Sequence, residues 1–564
     1  MTGRQRIALA ALCLALAGCG NTEREATQQA GVASAHPMAT EAGIRVLESG
    51  GNAFDAAVAT AATLGVVEPY SSGIGGGGFW VLRPADGDPV VIDARETAPG
   101  KAHPDLYLDE DGEVLEGEPS LNGALAAGIP GQPAALDRIT GDYGNLPLHR
   151  NLAPAIKLAR TGFPVDERYR SLAEFRLEVL REDPTTRRLF LDGEGNVPEA
   201  GTLIHQPALA DTLRTLARKG RDGFYQGELA QKLTRDVRAA GGIWTGEDLA
   251  EYETIKRKPR IIDFRDARIL TAPAPSSGGV ALGQLFGMLQ ARPLPATADS
   301  VERTHWLTEM MRRAYRDRAQ YLGDPAFTDI PTQKLLSPDY LESLASDITP
   351  DSATPSGQLT DPGTDGRHTS HLSVIDAQGN AVSATLSINY PFGSGVTSER
   401  TGIVLNNEMD DFSIRPGYPN AYGLIGGEAN RVEAGKRPLS SMSPVILETD
   451  GAITAVGTPG GSRIITMNFL ALLDLLDGHA PASVVANHRF HHQYQPDQIQ
   501  HEPDTFTTTE KERLRDLGHE LKDVGRTYGN MQLIRQATDT GRITGASDPR
   551  GIGRAGVIDA TDSE

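Results

Sequence analysis

Cysteine is almost absent from this sequence. Only Cys13 and Cys19 occur, both within the first nineteen of 564 residues. That excludes a disulfide scaffold, and it excludes a thiolate-held metal centre in the body of the chain. Basic charge is in deficit, with 54 Lys plus Arg against 74 Asp plus Glu and a formal net charge of −20. A chain of that balance lacks the basic face by which proteins displace counterions from nucleic acid. Long hydrophobic runs are missing too. The apolar run at residues 7–17 has 11 residues, short of the roughly 20 that span a bilayer. No GxxxxGKS or GxxxxGKT phosphate loop occurs. No GxSxG elbow occurs either, which disfavours a Ser-His-Asp hydrolase of the α/β type. What is present is a folding composition, 39% hydrophobic and 23% charged. The 62 glycines and 36 prolines predict many tight turns and close backbone approaches.

The N-terminus reads as an address. Arg4 and Arg6 precede the apolar run, which ends in Leu16-Ala17-Gly18-Cys19. This resembles the lipobox of bacterial lipoproteins, in which cleavage after residue 18 leaves a lipidated Cys19; the plainer reading is a cleaved signal with an incidental cysteine. Residues 19–30 are expected to form a polar tether. Gly20, rather than Asp, follows Cys19. The resemblance therefore implies an exported protein, lipid-anchored in the periplasm at the outer membrane of a Gram-negative bacterium.

Residues 38–48 have helical spacing closed by Gly50-Gly51, and the Ala-rich stretch 53–64 predicts a buried helix. A hairpin is expected from 79–83 and 90–93 around Asp86-Gly87. Residues 124–345 are mostly amphipathic helical patterns, broken by a strand-like stretch near 258–272. Residues 346–368 are rich in Asp, Pro, Thr, Ser and Gly and predict a flexible loop, a length that in a compact body points to function or processing. Strands are expected at 372–376, 381–388 and 453–457, and a helix at 463–476. The mixture predicts a layered α/β architecture.

The cluster Gly73-Ile74-Gly75-Gly76-Gly77-Gly78 formally matches GxGxxG, but a strand pattern follows it rather than a helix. A tight turn under a packed sheet explains it better than a dinucleotide site. His368/His371 and His488/His491/His492 carry HxxH spacing, yet packing or hydrogen-bonding roles fit them better than a metal. The stretch His368-Thr369-Ser370-His371 places a threonine where the predicted loop meets a strand. Threonine often starts strands. A cut before Thr369 would also set a free α-amine, with a pKa of about 8, beside its hydroxyl as a built-in base.

Other segments hold what such a nucleophile needs. Gly460-Gly461 before a helix offers an oxyanion site or a plain turn. The run Asn406-Asn407-Glu408-Met409-Asp410-Asp411-Phe412 is a solvated acidic turn or a site for a cationic amine. Arg95 is a surface ion-pair partner or a fork for a carboxylate. Pro438-Leu439-Ser440-Ser441-Met442-Ser443-Pro444 sets adjacent hydroxyls between prolines.

Together these segments resemble the γ-glutamyltranspeptidase (glutathione hydrolase) family of N-terminal-nucleophile hydrolases. The resemblance runs from about residue 31 to 555 through GGNAFDAAVA, GIGGGGF, DARETAP, APSSGG, HTSH, NNEMDDF, KRPLSSMSP, GTPGGSRII, RFHHQ and GASDPR, in order. It implies a four-layer αββα sandwich built from both chains of a self-cleaved precursor. The large chain would run from 31 to 368 and the small catalytic chain from 369 to 564, cleaved between His368 and Thr369. Thr369 would attack glutathione to give a γ-glutamyl ester, passed on to water or to an amino acid or peptide. The resemblance gives the substrate α-carboxylate to Arg95, Ser440 and Ser441, and the α-ammonium to Asp411 with Glu408 and Asn389. Gly460 and Gly461 would hold the oxyanion, Ser387 would tune the nucleophile, and Tyr422 would be the aromatic of a lid loop. No metal or organic cofactor is implied.

Some positions depart from the family's pattern. Ser387 stands where the family usually has Thr, and Tyr390-Pro391 where bacterial relatives often carry Thr-Thr. Two alternatives bear on the same residues. A glutaryl-cephalosporin acylase would use the scaffold without needing Glu408 and Asp411. A non-catalytic surface lipoprotein that binds peptides would be expected to lose Thr369, Arg95 or the glycine pair.

Overall fold

The computed structural model describes residues 28–295, 297–357 and 369–559. Cys19 and His368 lie outside the described residues, as does most of the expected tether. Its last residues differ from expectation: Gln29 and Ala30 open the strand Gln29–Ser34 and pair with Asp559 and Ile558. Ala30, Val32 and Ala33 are buried there, so apolar packing takes the end of the tether into the body.

Two sheets form the centre. The seven-stranded sheet runs, in spatial order, Arg554–Asp559, Gln29–Ser34, Ser370–Ile375, Ala381–Ser387, Gly77–Arg83, Val90–Ala94 and Ile255–Arg257. The six-stranded sheet runs Ile543–Ser547, Gln532–Ala537, Ala452–Gly457, Val445–Thr449, Ala267–Thr271 and Arg260–Phe264. Successive strand residues face opposite sides. Phe79 and Val81 therefore meet Leu270, Ile446, Ala455 and Ile534 between the sheets. Trp80 and Leu82 turn outward to the helices Pro37–Glu48 and Ala53–Val67. Beyond the second sheet, Ile269, Val445 and Leu447 pack on Gly278–Ala291, Ser300–Tyr321 and Ile464–Leu476. The order is helix, sheet, sheet, helix, the sandwich expected.

The helix Ala53–Val67 is buried along nearly its whole surface, which suits its alanine-rich, all-round apolar sequence. A capping box between Asn52 and Asp55 starts it. The glycine cluster leads directly into the strand Gly77–Arg83. A Cβ on Gly76 would stand 2.0 Å from the Ser387 carbonyl oxygen. Close backbone packing explains these glycines, and the strand after them rules out the dinucleotide fingerprint.

The expected flexible loop is in part an anchored segment. Ser346 ends the helix Pro338–Ser346. Arg313 donates to the Asp347 carbonyl at 3.0 Å, Thr354 N donates to Glu309 at 3.2 Å, and Gln495 donates to the Ser356 and Gly357 carbonyls. The polar composition of 347–357 thus serves hydrogen bonds to buried charges. Residues 358–368 lie outside the described residues.

Candidate active site

Thr369 immediately precedes the strand Ser370–Ile375, near the middle of the larger sheet. The antiparallel register pairs Leu386 with Ser370, which brings Ser387 level with Thr369. The Ser387 hydroxyl accepts the Asn389 N–H at 2.8 Å. Asn389 holds a positive φ of 69°, and its amide donates to the Asn407 carbonyl at 2.9 Å. That bond ties the segment after Ser387 to the acidic run.

One narrow cleft, about 20 Å³ in volume, is lined by Thr369, Ser387, Asn389, Arg95, Glu408, Asp411, Tyr422, Ser440, Ser441 and Gly461. Of the expected site residues that are described, only Gly460 is outside the lining, and it is Gly461's chain neighbour. The space suits about one water molecule. Both glycines have positive φ, 146° and 57°, ahead of the helix Ile464–Leu476. The run Gly461–Arg463 forms a single helical turn there, and the Tyr315 hydroxyl donates to the Ser462 carbonyl beneath it.

Arg95 is fully buried, so the reading as a surface ion pair is overturned. Its guanidinium pairs with Glu408 and with Asp411, and more loosely with Glu96 at 3.4 Å. It also donates to the carbonyls of Pro438 at 3.1 Å and Leu439 at 3.3 Å. Burial alone would lower the Arg95 pKa, but Glu408, Asp411 and Glu96 more than reverse that. The acidic run is likewise no solvated turn, since Glu408 and Asp410 are buried. Burial pushes the Glu408 carboxyl up to about 7 against the opposing pull of Arg95. Its Oε1 has no hydrogen-bond partner at normal distance, although the Ser387 hydroxyl is close enough to favour the ionised form. The expected cationic and anionic subsites are therefore not separate here. They form one interlocked ion-pair cluster.

Several supporting residues escaped sequence reasoning. Arg318, in the helix Ser300–Tyr321, donates to the Ser441 hydroxyl at 3.2 Å and the Ser277 hydroxyl at 3.1 Å. Nothing in an amphipathic helical pattern marks it. Glu96 could have been found, since it follows Arg95 directly. Glu68 accepts the Ser370 hydroxyl at the start of the strand Ser370–Ile375, and only the fold brings them together. Leu424, Met442, Ser462 and Ile464 complete the cleft. Tyr422 donates from its hydroxyl to the Asn389 carbonyl at 2.6 Å, and Gln493 holds the Tyr422 carbonyl at 3.1 Å.

Of the grouped histidines, His371, His491 and His492 are buried and hydrogen-bonded, and His488 is exposed. His371 sits between the sheets against the Thr385 hydroxyl at 2.9 Å, with burial pushing its pKa down to about 3. His491 meets Thr466 at 2.8 Å and Gln493 at 2.8 Å. His492 approaches Asp497 at 3.3 Å.

Residues 39–558 match the profile of the Gamma-glutamyltranspeptidase family. This chain belongs to that family. It is 41% identical over 555 residues to a glutathione hydrolase proenzyme of Pseudomonas aeruginosa, covering 97% of this chain and 98% of the relative. A glutathione hydrolase proenzyme of Escherichia coli is 39% identical over 537 residues, covering 93% and 91%. Among solved structures, cephalosporin acylase from Bacillus halodurans superposes with a TM-score of 0.82 at 28% identity, covering 94% of this chain and 96% of that one. The γ-glutamyltranspeptidase of Helicobacter pylori superposes at 0.55 with 38% identity, covering 58% and 94%. Membership makes this an N-terminal-nucleophile hydrolase fold in which the expected motifs converge on one cleft.

Proposed function

We propose that this protein is a γ-glutamyltransferase and glutathione hydrolase with Thr369 as its N-terminal nucleophile. The observation that carries the reading is the common cleft, in which Thr369 shares one small space with Arg95, Glu408, Asp411 and Gly461.

The precursor matures between His368 and Thr369. Thr369 Oγ attacks the His368 carbonyl carbon, the peptide nitrogen leaves as the Thr369 α-amine, and water hydrolyses the resulting ester. Two chains remain as one heterodimer, ending at 368 and starting at 369. The α-amine then takes the proton of its own hydroxyl as Oγ attacks the γ-carbonyl of glutathione. Gly460 and Gly461 receive the oxyanion on their N–H groups, each such donor contributing about 3 kcal/mol. The amine of Cys-Gly leaves with the proton. Water, or the amine of an acceptor amino acid or peptide, then attacks the γ-glutamyl ester.

The interlocked cluster suits a zwitterion. An α-amino acid head exchanges partners with it, its carboxylate taking Arg95 with the Ser440 and Ser441 hydroxyls. Its ammonium takes Glu408 and Asp411 beside Asn389. These remote contacts orient the γ-carbonyl on Thr369. Ser387 holds the nucleophile's hydroxyl, and Tyr422 covers the cleft. The likeness to a cephalosporin acylase favours a glutaryl acylase as a second reading. The buried Glu408 and partly buried Asp411 facing the head group argue for γ-glutamyl, because a glutaryl group has no ammonium to offset their desolvation. Export and a lipid anchor on Cys19 complete the proposal.

The test is the intact mass and turnover of the soluble body, residues 20–564, as wild type and as Thr369→Ala. Fragments meeting at His368/Thr369 with rapid γ-glutamyl-p-nitroanilide turnover, and an uncleaved inactive variant, are expected. An uncleaved, folded wild type would overturn the nucleophile, and faster glutaryl turnover would overturn the substrate. Membrane release of a Cys19→Ser full-length chain tests the anchor.

A further inference from the structure

An open groove of about 730 Å³ lies where the edges of the two sheets converge, and it shares no lining residue with the cleft. Ile255–Arg257 is the outermost strand of the seven-stranded sheet and Arg260–Phe264 that of the six-stranded sheet. Residues 325–330 form the facing wall. Lys256, Arg257, Lys258 and Arg260 line the groove against one carboxylate, Asp329. This local excess of positive charge stands in a chain of net charge −20.

Cations on open strand edges have an ordinary use, since they keep sheets from pairing with other chains. Lys256 and Lys258 are exposed and fit it, and Lys256 is already paired with Asp142 at 2.8 Å. The arginines do not fit. Burial alone pushes the Arg260 guanidinium below its ordinary value, with no carboxylate offsetting it, and its enclosed Nε has no hydrogen-bond partner. Arg257 spends Nε on Asp93 at 2.8 Å, while its buried Nη2 has no partner. Edge protection needs charge in water. Both arginines are half-buried, and enclosed donors without a partner carry a cost that an anion drawing the side chain round would offset.

We propose that this groove binds an anion bearing two or more phosphate or carboxylate groups, gripped by Arg260 and the free edge of Arg257, with Lys258 at its mouth. Guanidinium forks match either group with paired hydrogen bonds. The volume lies in the range of small-molecule sites. Exposed Ile255 and Phe327 give the ligand an apolar flank. The groove is also one ion pair from the cleft. Asp93, which holds Arg257, accepts the Arg95 backbone N–H at 2.9 Å and pairs with Arg437 at 3.3 Å.

Tripolyphosphate and citrate are titrated separately into the mature wild-type protein by calorimetry, and then into Arg260→Gln and Lys258→Gln. Saturable one-to-one binding of at least one anion is expected, weakened about tenfold or more by Arg260→Gln. The tighter of the two anions assigns phosphate or carboxylate chemistry. Turnover of γ-glutamyl-p-nitroanilide by Arg260→Gln without anion should match wild type. The absence of saturable binding by either anion would overturn the proposal, as would binding unchanged in both variants. If Arg260→Gln does not fold, weakened binding by Lys258→Gln decides it.

Discussion

The ring of Tyr422 fills the space that a side chain at residue 461 would need. A Cβ on Gly461 would stand 2.5 Å from the ring's Cδ1, and the backbone there is left-handed at φ 57°. Glycine is thus required twice, once by its own conformation and once by the aromatic that covers the cleft. Gly461→Ala should lower kcat for γ-glutamyl-p-nitroanilide by about 10²-fold, the scale of losing one oxyanion donor. Steady-state kinetics check this, and a wild-type kcat would show that the N–H groups at this turn are not used.

Arg95 pairs with two buried carboxyls, Glu96 and Glu408, and with the partly buried Asp411. Removing it leaves them facing one another in a low-dielectric space. Arg95→Ala should cost about 3–5 kcal/mol of stability, as broken buried pairs do. Arg95→Lys should retain more stability but raise KM for the γ-glutamyl donor, because an ammonium cannot fork onto a carboxylate. Urea unfolding beside donor kinetics separates the two effects.

Glu408 gives a pH signature. Its carboxyl is pushed up to about 7 by burial, so the anion proposed to meet the substrate ammonium forms as pH rises through that value. Product inhibition by glutamate should tighten across pH 6–8, and inhibition by glutarate, which has no ammonium, should not. Glu408→Gln should abolish the difference. The stability sign is opposite. The fold prefers protonated Glu408, so this contribution is present below about pH 4.5 and is lost as pH rises through about 7.

Next to Thr369, the Glu68 carboxyl accepts the hydroxyl of Ser370 and, at 3.4 Å, that of Tyr70. Burial raises its pKa. Ser370→Ala removes the nearer donor from a buried acceptor and should cost about 1–3 kcal/mol. It should also slow cleavage before Thr369, its chain neighbour. Unfolding curves and a time course of chain cleavage measure both, and unchanged values would show the hydroxyl to be idle.

Glu309 predicts acid lability. Burial works against its ionisation, but Arg312 and Arg313 hold it down to about 2. The contribution is present above about pH 4.5 and is lost as pH falls through about 2, on the order of 3 kcal/mol. Glu309→Gln should lower stability at pH 7, and its gap to wild type should close between pH 4.5 and 2. Denaturant midpoints across pH test it.

Much of the fold was legible because its signals are local. The buried helix, expected at 53–64 and found at Ala53–Val67, announces itself by its alanine, and the hairpin by its Asp86-Gly87 turn. The strand-like break near 258–272 is the edge of the second sheet. Polar composition misled at 346–357, where Thr354 and Ser356 serve buried charges rather than solvent. It misled again at Arg95 and the 406–411 run, each of which looked compatible with a surface.

The sequence by itself determined the family, the order of the motifs and the residue types available for chemistry, because these depend on identity and spacing alone. Only the tertiary structure decided that Arg95 pairs with Glu408 and Asp411, residues more than three hundred positions away, and that Ser387 comes level with Thr369. It also decided that Arg318 supports Ser441 and Glu68 supports Ser370. Burial, register and hydrogen bonding between distant segments are properties of the packed sandwich, and no local pattern carries them.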